Sequence, residues 1–457
     1  MNLLVKDKCF YKKMAVIAIP ISLQSMITIG VNMTDTVMVG KLGETSLSAT
    51  ALANQFVNIY QICCMGIAMG ASVLTSRFWG MQDITSLKKT ITLMLRLCIV
   101  LAVLFMLPTI LIPQLLMRMY TNDSAVIAQG VQYFKWMVYC YFLQGMTMTC
   151  TIVLRSVGQV NFPLFTSIGS FFVNILFNYM FIFGKLGVPR MEVEGAGVGT
   201  LIARVFEFSL ICGYFLFVDR KIGYRLKDLR MKCNSLIKDY VSISIPVFVS
   251  DSLLALGTSA VAMVMGRIGT GFVSANSITV VTHQLTTVII QGIWHASCIM
   301  TGHTLGHGER EKAQQQAWTF LILGLVVGIL GGGLIKVLSR PIIGLYNITP
   351  ETAQIAGELM DAIAFIVIFQ SMNSILTKGV LRGGGDTKFL MVADIIFLWA
   401  ASLPLGILAG LVWHLDAFWI YVFLKIDQIC KSIWCVFRLR SGKWIKTFSK
   451  EKMNHAQ

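Results

Sequence analysis

I-P-I-S-L-Q-S-M-I-T-I-G-V-N-M-T-D-T-V-M-V-G-K-L-G, residues 19–43, returns in outline as I-P-V-F-V-S-D-S-L-L-A-L-G-T-S-A-V-A-M-V-M-G-R-I-G, residues 245–269. Pro20 aligns with Pro246, and V-G-K-L-G with M-G-R-I-G, at an offset of 226, almost half the chain of 457 residues. In the same register Gly80 meets Gly306. At an offset of 227, L-R-S-V-G-Q (154–159) meets L-R-G-G-G-D (381–386). Correspondences this widely spaced are not a by-product of apolar composition. They mark a chain built of two repeated halves, and parallel repeats are a transporter device, with a substrate site between two lobes that move around it.

Working outward from the repeat, 56% of the residues are hydrophobic and 13% charged, so lipid must solvate much of the surface. A bilayer core takes about 20 apolar residues per helix. Marking stretches of that length predicts twelve spans, near 14–39, 50–76, 91–115, 127–153, 160–184, 193–218, 240–264, 274–302, 316–338, 355–380, 388–412 and 416–438. The expected fold is an all-α integral membrane protein with six helices in each half. Residues 1–219 form the N-terminal lobe, 220–239 a basic linker, 240–440 the C-terminal lobe and 441–457 a tail.

Twelve spans put both termini on one side. On the opposite side the extramembrane basic residues are Lys41, Arg118, Lys185, Arg190, Arg267, Lys336 and Arg340, a minority of the 38 Lys and Arg, so both termini are expected in the cytoplasm. The net charge of +16 does not indicate a nucleic-acid partner, because the basic residues lie between apolar runs. The linker between Arg220 and Lys238 reads first as a topology signal and second as a segment close to anionic lipid headgroups. The cysteines have no C-x-x-C spacing and read as packing residues. The first apolar run lacks an A-x-A-like site and reads as a span, not a cleaved signal.

No Walker A spacing, H-E-x-x-H or C-x-x-C pattern is present, so ATP-driven transport and metal catalysis have no support. An ion gradient is the remaining energy source, with Na+ or H+ as the coupling ion and no cofactor. Ionisable groups within spans are costly and mark ion pathways. Asp35 closes a stripe with Gln24, Thr28 and Asn32, whose spacing keeps them on one helical face. Asp251 lies about eleven residues into the seventh span, on the order of 16 Å deep. Asp394 lies inside the eleventh span. Asp386, in the glycine-rich turn before it, is either functional or a turn residue. The repeat places Ser25 opposite Asp251 and Val261 opposite Asp35, so the scaffold is symmetric and its acids are not.

Further polar residues follow helical spacing: Asn54, Asn58 and Gln61; Asn174 and Asn178; Gln370, Asn373 and Thr377. Each set either lines a cavity or bonds helix to helix. His283 shares a face with Trp294, and Arg204 with Glu207 are spaced to pair.

In order and spacing, these motifs resemble the multidrug and toxic compound extrusion (MATE) transporters over nearly the whole chain. The carriers are I-P-I-S-L-Q to D-T-V-M-V-G-K-L-G, N-I-L-F-N-Y-M-F-I-F-G-K-L-G-V-P, G-A-G-V-G-T-L-I-A-R-V-F-E, P-V-F-V-S-D with G-R-I-G-T, and L-R-G-G-G-D-T-K. The resemblance implies two six-helix bundles around a V-shaped central cavity and export of amphiphilic, often cationic drugs or toxic metabolites in exchange for Na+ or H+. It implies that Asp35 serves the N-terminal lobe, and that Asp251 and Asp386 take part in a C-terminal cation site. The family's seventh helix usually carries Glu where this chain has Asp251. Asn178 stands where the DinF-like branch has Asp, which points to the NorM-like branch. The rival readings are a lipid-linked oligosaccharide flippase of the same superfamily, which tends to carry more cavity arginines, and an intramembrane enzyme, which needs a nucleophile or His/Asp cluster not found here. The expectation is therefore a secondary transporter and not an enzyme, acting as a monomer in the inner membrane of a bacterium.

Overall fold

In the computed structural model the described residues are 4–447 except 345 and 347, and no strand occurs among them. Residues 448–457 of the expected tail lie outside the described residues. The helices are α1 (Lys8–Gly40), α2 (Glu44–Gly80), α3 (Ile84–Leu111), the short α4 (Pro113–Arg118), α5 (Ser124–Ser156), α6 (Asn161–Phe183) and α7 (Glu192–Val218). After them come α8 (Asn234–Ile268), α9 (Thr270–Gly306), α10 (Arg310–Ile343), α11 (Pro350–Leu381), α12 (Thr387–Val412), α13 (Ala417–Leu424) and α14 (Ile426–Arg440).

Apolar runs of this length close their backbone hydrogen bonds internally because lipid offers no partners. Their ends are set by capping chemistry. Asp83 accepts from the Ser86 amide at 3.0 Å ahead of α3, and Asp123 accepts from the Ala125 amide at 2.9 Å ahead of α5. Gly184, at φ +64°, ends α6 in the left-handed conformation that side chains disfavour. The repeated prolines, Pro20 and Pro246, lie inside α1 and α8, where each removes one donor from the helical ladder.

Among the described residues, ten helices are long and apolar enough to cross a membrane. Two predicted spans are not among them. The 274–302 stretch lies in α9 with Asn276, His283, Gln284, Gln291 and His295, and 416–438 is divided between α13 and α14 at Lys425, whose backbone leaves the helical region (φ −122°, ψ 16°). Outer faces are apolar: on α3, Val100, Leu104, Leu107 and Leu111 recur at helical spacing and are exposed, whereas Leu87, Ile91, Met94 and Cys98 are buried. An exposed apolar stripe on a long helix fits a lipid-facing surface.

The chain forms two compact units. The N unit comprises Leu23–Thr75 and Gln82–Ser244, and the C unit comprises Met1–Ser22, Ser76–Met81 and Ile245–Gln457. In the N unit an aromatic core packs Tyr60 edge-on to Tyr141 with centroids 4.9 Å apart, and the Tyr60 hydroxyl donates to the Tyr141 carbonyl at 2.5 Å. The 220–239 segment folds onto α3: Lys88 Nζ meets Asp228 at 3.0 Å and the Gly223 carbonyl at 2.6 Å, and Arg96 donates to the Leu229 carbonyl at 2.5 Å. In the C unit, Trp444 is fully buried against Gly384 and donates to Gln314 at 2.7 Å. The Lys446 amide donates to the Gly384 carbonyl at 2.9 Å.

Candidate functional site

Within the N unit, α1, α2, α5, α6 and α7 enclose a cavity of about 380 Å³. The stripe predicted on α1 supplies Thr28, Asn32 and Asp35 to its wall. From α2 come Asn54, Asn58 and Gln61, and from α6 Asn174, beside Ser167, Ser170 and Phe171. Spacings of three and four turn each set toward one side, which is why sequence periodicity brought them together. Asn178 stands behind the wall, buried, and donates from Nδ2 to Asp35 Oδ1 at 2.6 Å and toward Asn174 Oδ1 at 3.3 Å. Gln24 is drawn aside: its Nε2 donates to Ser167 Oγ at 2.8 Å, and its Oε1 accepts from Arg155 Nη2 at 2.5 Å.

Asp35 therefore meets neutral amides. It has no ion pair with Lys or Arg among the described residues. The cavity's other charges, Arg204 and Glu207 on α7, pair with each other at 2.7 Å as their spacing predicted, and both line the cavity. Asp35 thus has no direct ion pair among the described residues, while the Arg204 charge on the same cavity wall acts on it through space. With Phe171, Tyr133 and Met137 supplying apolar and aromatic surface, the cavity suits an amphiphilic cation, a small ion or a proton.

The acids of the C unit have different surroundings. Asp251 on α8 receives Arg382 in a two-pronged contact, Nη2 to Oδ1 at 2.9 Å and Nη1 to Oδ2 at 3.4 Å. Asp394 on α12 is held by Lys431 Nζ at 2.6 Å and by the Ser250 hydroxyl. Lys431 also reaches Asp427 Oδ2 at 3.7 Å, to which Gln428 Nε2 donates at 2.6 Å. Asp386, ahead of α12, is bound by Arg438 Nε at 2.6 Å and Lys446 Nζ at 3.2 Å. His283 Nε2 lies 2.8 Å from Gln370 Oε1, and Asn373 donates to Gln428 Oε1 at 2.7 Å. Lys378 Nζ lies 5.9 Å from the centre of the Trp294 ring.

Sequence reading missed Lys378, Asp427 and Lys431. The repeat held a usable clue to the Asp251 pair, because Arg155 and Arg382 occupy matching places in L-R-S-V-G-Q and L-R-G-G-G-D. Arg155 reaches Gln24 on α1, and Arg382 reaches Asp251 on α8.

The sequence model of the MatE family matches residues 20–180 and 246–429. A probable multidrug resistance protein NorM from Thermotoga maritima is 24% identical over 441 residues, covering 95% of this chain and 93% of its own. An uncharacterised transporter of Bacillus subtilis, YisQ, is 24% identical, covering 90% of each chain. Among solved structures, a MATE transporter of Vibrio cholerae, VcmN, superposes with a TM-score of 0.86 at 16% identity over 95% of this chain and 97% of its own, a likeness of fold.

Proposed function

The chain belongs to the MatE family of multidrug efflux transporters, and from that membership we propose that it exports amphiphilic, cationic compounds by antiport with Na+ or H+ through alternating access. In this reading twelve spans in two six-helix bundles enclose a V-shaped central cavity, both termini face the cytoplasm, and the protein works as a monomer in a bacterial inner membrane. The coupling carboxylates come from Asp35, Asp251, Asp386 and Asp394. The observation that carries the reading is the N-unit cavity, where Asp35 faces an amide-rich, partly aromatic space and makes no ion pair among the described residues.

An ion biases a two-state cycle only through different affinities for the two states. Asp35 fits such a role because, among the described residues, it makes no direct ion pair and is held by neutral amides, so an arriving cation or proton changes its electrostatic energy. Substrate and ion then compete for one negative cavity, and binding of the ion outside favours release of the drug. The surrounding amides, Asn174 and Asn178 foremost, orient the carboxylate without cancelling its charge.

The test is efflux of a fluorescent cationic dye from proteoliposomes holding the wild-type protein or Asp35→Asn, under separately imposed Na+ and H+ gradients. Uphill export under one gradient, lost in the variant, is the expected result and names the ion. No dye movement under either gradient overturns the reading and turns attention to a lipid-linked flippase.

A further inference from the structure

A cluster of charges inside the C unit does not sum to zero. Asp251 is paired with Arg382, and Lys431 lies between Asp394 and Asp427, so these groups together leave one negative charge. Lys378 and Lys425 are half-buried in the same unit and make no ion pair among the described residues. The Lys378 charge acts through space on Asp251 and Asp394, and that of Lys425 on Asp427. With both lysines counted, the cluster carries one positive charge in excess. The retention of basic residues at the cytoplasmic end of a span explains their place in the sequence. It does not explain why they turn away from water. A cation without a partner in a low-dielectric interior is costly, and ionisable groups within spans mark the path of an ion or a substrate.

The excess charge has a location. Lys378 and Arg382 are four residues apart at the end of α11 and so lie side by side along the helix. Arg382 turns both terminal nitrogens to Asp251, and its Nε is a buried donor with no hydrogen-bond partner among the described residues. Lys378 Nζ lies over the Trp294 ring of α9, 5.9 Å from its centre. The pair thus presents one uncompensated charge and two donors beside an aromatic face. Resting on the transporter reading above, we infer that Lys378 and Arg382 form a subsite for the carboxylate of an amphiphilic substrate, so that the protein takes zwitterionic or anionic compounds as well as cations. One carboxylate oxygen accepts from Lys378 Nζ and the other from Arg382 Nε, which satisfies the orphaned donor and cancels the excess charge. The apolar part of the substrate rests against Trp294, and Lys425 adds to the positive potential that draws the carboxylate in.

The test is equilibrium binding, by fluorescence anisotropy, of a rhodamine with a free benzoate and of its methyl ester to purified protein in phosphatidylcholine nanodiscs. The two dyes differ only in the carboxylate. Wild type, Lys378→Gln and Lys378→Arg are compared, with Tm read alongside. Wild type should bind the acid, and Lys378→Gln should weaken it by about 10- to 100-fold, the usual worth of a hydrogen bond to a charged group, while the ester keeps its wild-type affinity. Lys378→Arg, which retains the charge, should keep most of the acid binding. Because Lys378 holds no carboxylate of the protein itself, Lys378→Gln should melt no lower than the wild type. Failure of the wild type to bind the acid, equal weakening of acid and ester, or a lowered Tm with acid binding unchanged overturns the inference. A rise in wild-type Tm with added phosphatidylglycerol that Lys378→Gln removes gives the lysine to a lipid phosphate, and overturns it as well. Binding needs no gradient, so the subsite and the antiport reading fail separately: dye export that follows neither gradient sinks the reading alone.

Discussion

The two units treat their acids in opposite ways. In the N unit Asp35 is met by the Asn178 amide at 2.6 Å, whereas in the C unit Asp394 is met by the Lys431 ammonium at the same distance. An amide orients a carboxylate and leaves its net charge in place; an ammonium cancels it. Hydrogen bonds to a charged group contribute about 1.5–3 kcal/mol, while removing one partner of a buried ion pair costs about 3–5 kcal/mol, because the other charge stays buried and unmatched. The two acids therefore differ in whether the side chain that hydrogen-bonds them carries a charge.

The sharpest way to break the comparison is to remove the fixed charge. Lys431→Met should destabilise the protein by about 3–5 kcal/mol, the cost of orphaning a buried carboxylate, seen as the largest fall in Tm of any variant named here. Lys431→Arg should recover most of that loss. If Lys431→Met melts with the wild type, the ammonium is not what holds α12 to α14. The second variant removes the unmatched charge. Asp35→Asn keeps the size and hydrogen-bonding capacity of the side chain, so Tm should change little, while gradient-driven dye export should fall by on the order of 5- to 150-fold, the range of a typical coupling free energy. Export at the wild-type rate would move the coupling group elsewhere.

Much of this scaffold was legible because its signals are local or periodic. Apolar length marked the ten helices long and apolar enough to cross a membrane, and steps of three and four gathered Asn32, Asp35, Asn54, Asn58 and Asn174 around one cavity. The ion pairs of the C unit were not legible because neither partner lies near the other in sequence. Asp394 and Lys431 are 37 residues apart, and Asp251 and Arg382 are 131 apart. A lysine near the end of an apolar run, like Lys431, reads as an interfacial residue reaching for water. Only the packing of α12 against α14 shows that it turns inward. Asn178 was picked out by its spacing from Asn174, but its contact with Asp35 spans 143 residues and depends on how closely α6 approaches α1.

A third variant tests whether the amide must be held in place. A Cβ at Gly199 on α7 would collide with Asn178 Oδ1 and come within 2.8 Å of the Asn178 backbone nitrogen. The backbone cannot yield as a side-chain tip can. Gly199→Ala should therefore force α7 from α6 at a cost of about 1–3 kcal/mol, within the usual range for overpacking, and lower export by displacing Asn178. Normal export with a lowered Tm would show that Asp35 works without a precisely held amide partner.

A carboxylate outside the spans separates the effect of its partner from that of burial. Burial pushes the Asp228 pKa up, but the Lys88 hydrogen bond, the Arg225 backbone amide and the Lys88 and Lys227 charges outweigh it and hold the carboxyl below its usual value. Because the folded value is the lower one, the stabilisation is fully present above the unfolded pKa and is lost as pH falls through the folded one. Lys88→Met should then lower stability by less than about 1 kcal/mol at neutral pH, since this pair is partly solvated, and the two proteins should converge in Tm as Asp228 protonates. A penalty as large as that of Lys431→Met would mean that an ammonium facing a carboxylate is worth the same with or without water. The contrast between the two units would then rest on packing and not on charge.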